Sequence, residues 1–410
     1  MSAPLSEAEL FRLAAATPWA QSAPARHVLV LGAGMAGLMA AWQLERAGHR
    51  VTILEGRTRV GGRIETLRDP FAHGLFAEAG AMRLPASHRL THWLIDELGL
   101  AAKLRSFDSR VAFHLFGSTR IANDAPDSAI SDLFELTSAE REVSAGALWE
   151  RAWRPVVFDG GRMRGWDEVE ALVGRYSVRR FLEEYVRPAW SPGAIERFGL
   201  LYNYESLMES SVVELIREEA GAFYEDLSYL DGGMDQLPRA LASRLTAEVR
   251  FGARVTAIAC DESGVRVICR DTAGNVDVAA SADYAIVTLP LPVLRFIDFT
   301  PRLPVAHSAA IRQLHYDAAT KVFLQVRERF WERLPPNLQG GQVSTDRPVR
   351  NIYYPPHGEE TGRGVVLASY TWGDDAEGWA SLAPNNRLAE ATEQLREVHD
   401  GIPGLGDVGA

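Results

Sequence analysis

The stretch from His27 to Glu55 constrains the fold more than any other part of the sequence. An apolar, β-branched run at 27–31 is followed at once by a Gly-x-Gly-x-x-Gly run at 32–37, and then by strong helix formers that stop at Gly48. A second apolar run leads directly to Glu55. A strand, a glycine-rich turn, a helix and a second strand in this order predict a βαβ unit, so we expect an α/β protein.

The glycines and the acid of this unit are spaced for binding a dinucleotide. Gly32 permits the tight turn, Gly34 lets the backbone approach a pyrophosphate, and Gly37 lets helix and strand pack closely. The helix N-terminus that follows favours an anion. Glu55, 18 residues after the last glycine, can accept hydrogen bonds from ribose hydroxyls. In this context a glycine-rich turn without a ligand is the weaker alternative.

The net charge and the cysteine content of the chain exclude several classes of ligand and partner. With 43 Lys plus Arg against 54 Asp plus Glu, the formal net charge is −11, which does not suit binding to nucleic acid. Cys260 and Cys269 flank a turn between predicted strands and cannot form a disulfide framework or a cysteine-rich zinc site, so we expect reduced thiols, a cytoplasmic location and no metal. We expect neither a signal peptide in the first 25 residues nor a membrane span, because no apolar run approaches about 20 residues.

A second glycine-rich run is typical of one protein family. It reads Glu-Gly-Arg-Thr-Arg-Val-Gly-Gly-Arg and occupies residues 55–63. Here the sequence resembles the flavin amine oxidases, whose members carry Glu-x-Arg-x-x-x-Gly-Gly-Arg at this point. The run at 78–85 looks like the flavin-facing motif of the L-amino acid oxidase branch, and Asp-Gly-Gly-Met-Asp at 231–235 is a further landmark. Together with segments at 320–332 and 340–375, these landmarks follow the family's order and spacing.

The resemblance implies FAD rather than NAD as the cofactor, because NAD enzymes do not usually carry the Gly-Gly-Arg run. Motifs and resemblance together predict a set of cofactor-binding residues along three loops and one later strand. These are Gly32, Gly34, Met35, Ala36, Gly37, Glu55, Gly56, Arg57, Gly62, Arg63, Gly80, Ala81, Met82, Arg83 and Val255. For Arg57 and Arg63 the alternative is a pair of solvated surface cations.

The resemblance also implies which residues bind the substrate and act in catalysis. Arg83 would hold the α-carboxylate, since a guanidinium fork matches a carboxylate. Tyr370 would be a second carboxylate donor, and Trp372, two residues on and so on the same face of the strand, a pocket wall. Lys321 would hold a water near the flavin, and a pKa lowered by burial would suit it to proton handling. We therefore predict catalytic roles for Lys321, Arg83 and Tyr370; the alternatives are a surface lysine, a structural ion pair and core aromatic residues.

A helix near residue 217 would partly determine which side chain the amino acid substrate carries. Arg217 pointing into the pocket would favour an acidic substrate, whereas Glu218 pointing inward would favour a basic one. Both could instead lie on a solvated helix face. The predicted substrate-binding residues are Arg83, Tyr370, Trp372 and Arg217.

The predicted fold is a glutathione-reductase-like Rossmann domain for FAD, a mixed-sheet substrate-binding domain and a helical insert. The insert is expected where the sequence becomes rich in Glu, Arg, Leu and Trp. The predicted boundaries are an N-terminal arm at 1–24, the FAD domain at 25–68 and 228–314, the substrate-binding domain at 70–122 and 315–410, and the helical domain at 123–225.

The activity that the resemblance implies is oxidative deamination of an L-amino acid to a 2-oxo acid, ammonia and hydrogen peroxide. An amino acid 2-monooxygenase, which makes an amide, shares these motifs and stays open, as does a non-catalytic homologue. Family members close with an Ala-Gly-Glu motif that is followed by Gly-Trp, and no Ala-Gly-Glu occurs after residue 375. We therefore expect a second polypeptide to supply that segment and an oligomeric assembly; a truncated chain is the other explanation.

Overall fold

The structure is a computed structural model that describes residues 24–122, 125, 127–334 and 340–400. The arm predicted at 1–24 therefore lies almost wholly outside the described residues, as does the end of the predicted substrate-binding domain at 401–410. None of the described helices combines the length and the apolar character that crossing a bilayer requires.

The described strands are, in chain order, β1 (His27–Leu31), β2 (Arg50–Leu54), β3 (Thr66–Leu67), β4 (Ala77–Glu78), β5 (Leu104–Ser106), β6 (Val111–Phe116), β7 (Thr119–Ala122), β8 (Phe158–Asp159), β9 (Arg162–Met163), β10 (Ser228–Leu230), β11 (Glu248–Arg250), β12 (Ala253–Asp261), β13 (Gly264–Asp271), β14 (Asp277–Ala282), β15 (Tyr284–Val287), β16 (Asp298–Thr300), β17 (Ala319–Val326), β18 (Gln342–Thr345), β19 (Asn351–Tyr353) and β20 (Gly364–Trp372).

The described α-helices are α1 (Met35–Arg46), α2 (Arg89–Glu97), α3 (Asp127–Ser131), α4 (Ser138–Arg141), α5 (Ala145–Val157), α6 (Trp166–Val173), α7 (Val178–Arg180), α8 (Pro192–Tyr202), α9 (Val212–Ala220), α10 (Gln236–Ser243), α11 (Leu291–Leu294), α12 (Val305–Gln313), α13 (Gly373–Ser381) and α14 (Pro384–Val398). Short 3-10 helices occur at Ala101–Lys103, Glu205–Leu207, Phe330–Arg333 and Glu359–Thr361.

A four-stranded parallel sheet in the order β11-β2-β1-β15 carries the glycine-rich turn. Its central strand β1 is apolar on both faces, and Leu29, Val30 and Leu31 have no exposed surface, as expected of a parallel strand covered on both sides. β1 pairs with β2 so that Leu31 lies opposite Leu54. The turn after β1 and the acid after β2 therefore meet at the same edge of the sheet.

A six-stranded mixed sheet in the order β17-β20-β19-β18-β6-β7 forms the second large layer. Its strands come from both sides of the helical segment, and β18 runs parallel to β6 while its other pairings are antiparallel. Trp331, Phe330 and Tyr354 are almost fully buried in the core beneath it. The sheet pairs β17 with β20, and this pairing places the predicted site residues Lys321 and Tyr370 opposite each other.

The helices α5 to α9, which lie in the sequence between the strands of the two large sheets, form a separate hydrophobic core. Trp149, Phe181 and Phe198 are buried there with Val212. The sequence predicts a helix from Val178 to Val186, but α7 ends at Arg180 and a π-helical turn follows at Phe181–Tyr185. The wider turn accompanies the complete burial of Phe181, which has no exposed surface.

The alternation of apolar and polar residues from Val249 to Cys260 predicts one strand, but the structure has two strands there. Gly252 has a φ of +71°, a left-handed conformation that breaks the extended run and separates β11 from β12. β11 joins the parallel sheet beside β2, whereas β12 joins a four-stranded sheet in the order β14-β13-β12-β16. Cys260 and Cys269 lie on the paired strands β12 and β13 of that sheet, and both are free thiols.

Candidate functional site

The turn after β1 has the close contacts that its glycines permit. Gly32 adopts a φ of +106°. A Cβ on Gly37 would lie 1.9 Å from the Gly32 carbonyl oxygen, so the first turn of α1 can approach the strand only without a side chain there. The Thr288 hydroxyl donates to the Leu31 oxygen at 2.8 Å and braces the turn from β15's end. Close backbone packing and the Thr288 side chain therefore both hold the turn in place.

Glu55 joins the first glycine-rich turn to the second. Its carboxylate accepts the Ala33 N–H at 2.7 Å and the Arg57 N–H at 2.8 Å, and only 9% of the residue is exposed. Two bonds leave lone pairs on a carboxylate, so Glu55 can hold the loops and still accept from a ligand hydroxyl. Its predicted ribose contact stays a prediction.

The second glycine-rich loop lies against the first. The Gly61 N–H donates to the Ala33 oxygen at 2.9 Å, and a Cβ on Gly34 would meet only the Gly62 Cα, at 3.9 Å. α1 begins at this point without a side-chain cap, so the N–H groups of its first turn, those of Met35 and Ala36 included, lack the usual intrahelical partners. Open space beside glycine backbone and uncapped N–H groups fit the diphosphate of a dinucleotide.

The arginines of this loop have different surroundings. Arg59, which the sequence analysis did not single out, binds Glu65 and the carbonyl oxygens of Val60, Gly62 and Ile64, and so supports the loop. Arg57 is well exposed, and its Nη1 lies 3.4 Å from a Glu65 oxygen. Within the described part of the chain, Arg63 forms no ion pair. A cation without a protein countercharge beside the glycine loop can meet a phosphate.

The segment from Gly80 to Arg83 connects this nucleotide region to a large cavity. The Ala81 N–H donates to the Arg63 oxygen at 3.1 Å, and a Cβ on Gly80 would lie 2.0 Å from the same oxygen. Met82 then lines a small cavity that Glu78 also lines. Val255, predicted as a cofactor contact, has its side chain buried in the core with Leu29, Leu31 and Leu54.

A cavity of about 670 Å³ contains three of the predicted substrate residues, Arg83, Tyr370 and Trp372. The Arg83 guanidinium carbon lies 5.5 Å from the ring centre of Tyr353 and 6.0 Å from that of Tyr224. Among the described residues no carboxylate pairs with Arg83. A cation held between aromatic rings and lacking a protein anion is suited to an anionic group of a ligand.

Lys321 connects this cavity wall to the Glu78–Gly80 segment. It lies opposite Tyr370 in the β17–β20 pair, and its ammonium donates to the backbone oxygens of Glu78 at 2.9 Å and Gly80 at 2.6 Å. Burial, with a smaller contribution from the Arg83 charge, lowers the pKa of the Lys321 ammonium to about 8, while the Glu78 carboxylate opposes that shift. Burial also raises the pKa of the Glu78 carboxyl to about 7.

Arg217 differs from the other predicted substrate residues, because its side chain lies outside the large cavity. Its guanidinium carbon is 5.1 Å from the Trp166 ring centre, and its Nη1 donates to Glu214 at 3.1 Å. The next two residues of α9, Glu218 and Glu219, do line the cavity. Adjacent residues on a helix point about 100° apart, which explains why Arg217 is directed away while its neighbours are not.

Tyr353 and Glu219 line the cavity although neither was predicted from sequence as a site residue. Tyr353 could have been found, since it lies in the landmark segment at 340–375 and β19 directly neighbours β20. Glu219 carried no such signal. Its carboxylate accepts the Trp149 indole N–H at 3.0 Å across 70 residues of sequence, a contact that only the packing of α5 against α9 creates.

Comparison with known proteins adds to this geometry. The family of flavin containing amine oxidoreductases has a sequence model that matches residues 35–407. The YobN protein of Bacillus subtilis (strain 168) is 34% identical over 390 residues, which cover 92% of this chain and 79% of YobN. The L-amino-acid oxidase of Siganus canaliculatus is 34% identical over 389 residues, covering 91% and 70% of the two chains. That of Protobothrops flavoviridis is 34% identical over 361 residues, covering 87% and 70%.

The fold likewise resembles a solved structure of a putrescine oxidase variant with redesigned cofactor binding. The TM-score is 0.56 at 22% sequence identity, over 91% of this chain and 81% of the other. At this identity the likeness concerns the fold alone.

Proposed function

The chain belongs to the flavin-containing amine oxidoreductase family, and from this premise we propose that it catalyses the oxidative deamination of an L-amino acid. Its cofactor is FAD. The products would be a 2-oxo acid, ammonia and hydrogen peroxide. Membership of the family indicates an oxidoreductase, and the substrate class is the part that we propose. The parallel sheet and its glycine loops would form a glutathione-reductase-like FAD domain.

The observation that carries the proposal is the Arg83 guanidinium, which faces the large cavity without a carboxylate partner among the described residues. An amine substrate would bring a second cation towards it, whereas an α-amino acid brings a carboxylate that matches its donor fork. Tyr353 and Tyr370, whose ring centres are 6.1 Å apart, flank this position with further hydroxyl donors. The cavity therefore suits an amino acid better than a simple amine.

The residues of this chain would bind and orient the substrate. Arg83 and Tyr370 would hold the carboxylate, and Trp372, whose ring centre is 5.1 Å from that of Tyr370, would limit the space for the side chain. Bound FAD supplies the acceptor for the hydride of the substrate Cα, and dioxygen takes up those electrons as hydrogen peroxide. Fixing the carboxylate restricts the directions in which the Cα–H can point, which is how positioning lowers the barrier.

Lys321 would handle a proton at its Nζ. Its pKa, lowered by burial to about 8, makes the neutral amine accessible near neutral pH. A neutral Lys321 can accept a proton from the water that adds to the C=N bond of the imino acid. Cleavage of the C–N bond, with the proton passed to the nitrogen, then releases ammonia and leaves the 2-oxo acid. The backbone oxygens of Glu78 and Gly80 hold the Nζ in place for this role.

The glycine loops would hold FAD through residues already described. Gly34, Met35 and Ala36 offer backbone N–H groups to the diphosphate, Arg63 offers a countercharge, and Glu55 accepts from the ribose. These assignments are supported by the open space beside Gly34 and by the uncapped start of α1.

The test is to purify the chain, measure its visible flavin absorbance, and assay peroxide formation with a panel of L-amino acids, their D-enantiomers and simple amines. We expect a yellow protein that oxidises L-amino acids and forms ammonia and a 2-oxo acid in equal amounts. An amide product would instead identify an amino acid 2-monooxygenase. A flavin-containing protein that oxidises amines but no amino acid would contradict the proposal.

We also propose that a second polypeptide covers the edge of β15, which no other described strand pairs with. Seven large apolar side chains between 284 and 316 are well exposed, with Phe296 at 84% and Val305 at 85%. Exposed large apolar side chains, and an edge strand that no other described strand pairs with, are typical of association sites. Thr288, directly after β15, contacts the glycine turn, so a segment bound here would adjoin the nucleotide region. Location in the cytoplasm stays a prediction.

A further inference from the structure

The large cavity has an acidic wall in addition to its arginine. Glu218 and Glu219, at the end of α9, both line it and both are half-buried. Glu218 accepts a hydrogen bond from the Tyr224 hydroxyl at 2.6 Å, and the ring of Tyr224 is the one that lies 6.0 Å from the Arg83 guanidinium. Tyr224 therefore bridges the cationic and the acidic parts of one cavity.

Neither carboxylate has a countercharge in the part of the chain that the structure describes. Glu218 is bonded by the neutral hydroxyl of Tyr224 and Glu219 by the neutral indole N–H of Trp149. The nearby arginine of the same helix, Arg217, is paired with Glu214 outside the cavity. Burial raises the pKa of both cavity carboxyls, and an entering cation would reverse that shift because it favours the ionised form.

The other polar groups of the cavity do not supply the missing cation. Burial lowers the pKa of His114 to about 4, so its imidazole is neutral, and its Nδ1 is buried and has no hydrogen-bond partner. His114 is only 6% exposed and lines the same cavity as a neutral residue. Arg197 uses its Nη groups on Ser131 and on the carbonyl oxygens of Glu140 and Val143.

We propose that the substrate is an L-amino acid whose side chain ends in a cation, with Glu218 and Glu219 facing that cation while Arg83 holds the α-carboxylate. The inference rests on the proposed function and names the substrate class of the same site. The C-terminus of α9, where both acids lie, adds the negative end of a helix dipole to the carboxylates. A cationic side chain would complete the charge pairing of the cavity at both ends.

The experiment compares L-lysine with L-norleucine, which has the same chain length without the charge, and with cadaverine, which lacks the carboxylate. Peroxide formation gives kcat/KM for each compound, and titration calorimetry gives the affinity independently of turnover. We expect kcat/KM for L-lysine to exceed that for L-norleucine by about 10- to 100-fold, the range of a charge-assisted hydrogen bond.

Two variants test the assignment to the acids. In Glu218→Gln combined with Glu219→Gln, we expect kcat/KM for L-lysine to fall about tenfold or more while that for L-norleucine changes little. The matched control is Glu214→Gln on the same helix, which pairs with Arg217 outside the cavity and should alter neither rate. An equal loss for both substrates would show that the double variant disturbs the fold rather than the recognition of charge.

The outcomes separate this inference from the proposed function. Oxidation of L-norleucine as efficiently as L-lysine would overturn the inference and leave the proposed function intact. If the enzyme prefers cadaverine to L-lysine, Arg83 does not bind the substrate carboxylate. The assignment of Glu218 and Glu219 to the cationic end of the substrate would then still hold. If no amino acid is oxidised, the proposed function is wrong, and calorimetry then tests the inference separately. The inference holds if L-lysine binds to the unmodified chain and binds at least tenfold more weakly to the double variant. It is wrong if L-lysine does not bind or binds both proteins equally well.

Discussion

Arg83 shows how one residue gains a role from surroundings that lie far away in sequence. Its guanidinium lies near the rings of Phe107, Tyr224 and Tyr353, and within the described residues it pairs with no acid. Aromatic faces stabilise a cation without neutralising its charge, so Arg83 keeps its attraction for an external anion. A surface arginine such as Arg105, which lies 3.8 Å from Asp231, lacks this arrangement.

Replacing Arg83 by methionine should remove carboxylate recognition while keeping most of the side-chain volume. Loss of a charge-assisted pair costs about 2–3 kcal/mol, so we expect kcat/KM for amino acids to fall about 30- to 150-fold, mainly through KM. Arg105→Met serves as the control and should retain normal rates. Unchanged steady-state kinetics in Arg83→Met would show that another group holds the carboxylate.

Lys321 predicts a pH dependence of stability whose sign follows from its pKa. The ordinary value of 10.5 is lowered by burial to about 8, so between these pH values the unfolded chain binds more protons than the folded chain. The free energy of unfolding should therefore rise with pH across this window, by up to about 3 kcal/mol. The measurement is urea unfolding at several pH values, with Lys321→Met as the reference that lacks the effect. Parallel curves for the two proteins would contradict the lowered pKa.

Among the secondary structure elements, α1 and the turn before it illustrate two different uses of glycine. Gly37 is required by packing, because any Cβ there would collide with the Gly32 carbonyl oxygen at 1.9 Å. Gly34 has a φ of −74° and only the Gly62 Cα near its missing Cβ, so the protein itself would accept a side chain at that position. Its glycine is explained by a ligand that approaches the backbone.

Alanine substitutions should separate these two roles. Gly37→Ala is expected to destabilise the fold by about 1–3 kcal/mol, as overpacking does, and to lower the midpoint of thermal unfolding. Gly34→Ala should unfold at the same temperature as the unmodified apoprotein and yet retain much less flavin after purification. Normal flavin content in Gly34→Ala would mean that the diphosphate does not approach this glycine.

At the scale of the whole molecule, the cavity lies where the three parts of the chain meet. Arg83 enters from the segment next to the nucleotide loops, Glu218 from the helical segment and Tyr370 from the mixed sheet. The almost fully buried Arg350 fastens two of these parts, since it pairs with Glu205 of the helical segment and its Nε lies 3.3 Å from Asp375 of α13. The substrate cavity is therefore a property of the assembled parts and not of any one of them.

The exposed apolar side chains near β15 lead to a prediction about association. Because Phe296 and Val305 are more than four-fifths exposed, we expect the chain alone to self-associate as its concentration rises. Phe296→Ser combined with Val305→Ser should shift it towards the monomer in sedimentation velocity. Val278→Ser on β14, a residue that is 50% exposed outside this stretch, is the control. A chain that stays monomeric at every concentration would argue against a covering partner at this edge.

Much of the nucleotide region could be predicted from sequence because its conformation is decided locally. The Gly-x-Gly-x-x-Gly spacing, the flanking apolar runs and the acid after β2 depend on sterics and hydrogen bonds between near neighbours. The parallel pairing of β1 with β2 follows from the same stretch. The family resemblance led to Arg83, Tyr370 and Trp372, which the structure brings into one cavity.

The side chains that face that cavity could not be identified before the chain was seen folded. On α9 the sequence left Arg217 and Glu218 as alternatives and did not consider Glu219, because a helix carries no local mark of which face will be covered. The indole N–H of Trp149 donates to Glu219 at the cavity, whereas the Arg217 guanidinium packs on the ring of Trp166 outside it. Both tryptophans lie on other helices of the helical segment, so these contacts decide which face of α9 is turned to the cavity. The backbone of the nucleotide loops follows from local sequence, because each residue there constrains its neighbours. The chemistry of the substrate cavity depends on contacts between distant segments, and those exist only once the chain has folded.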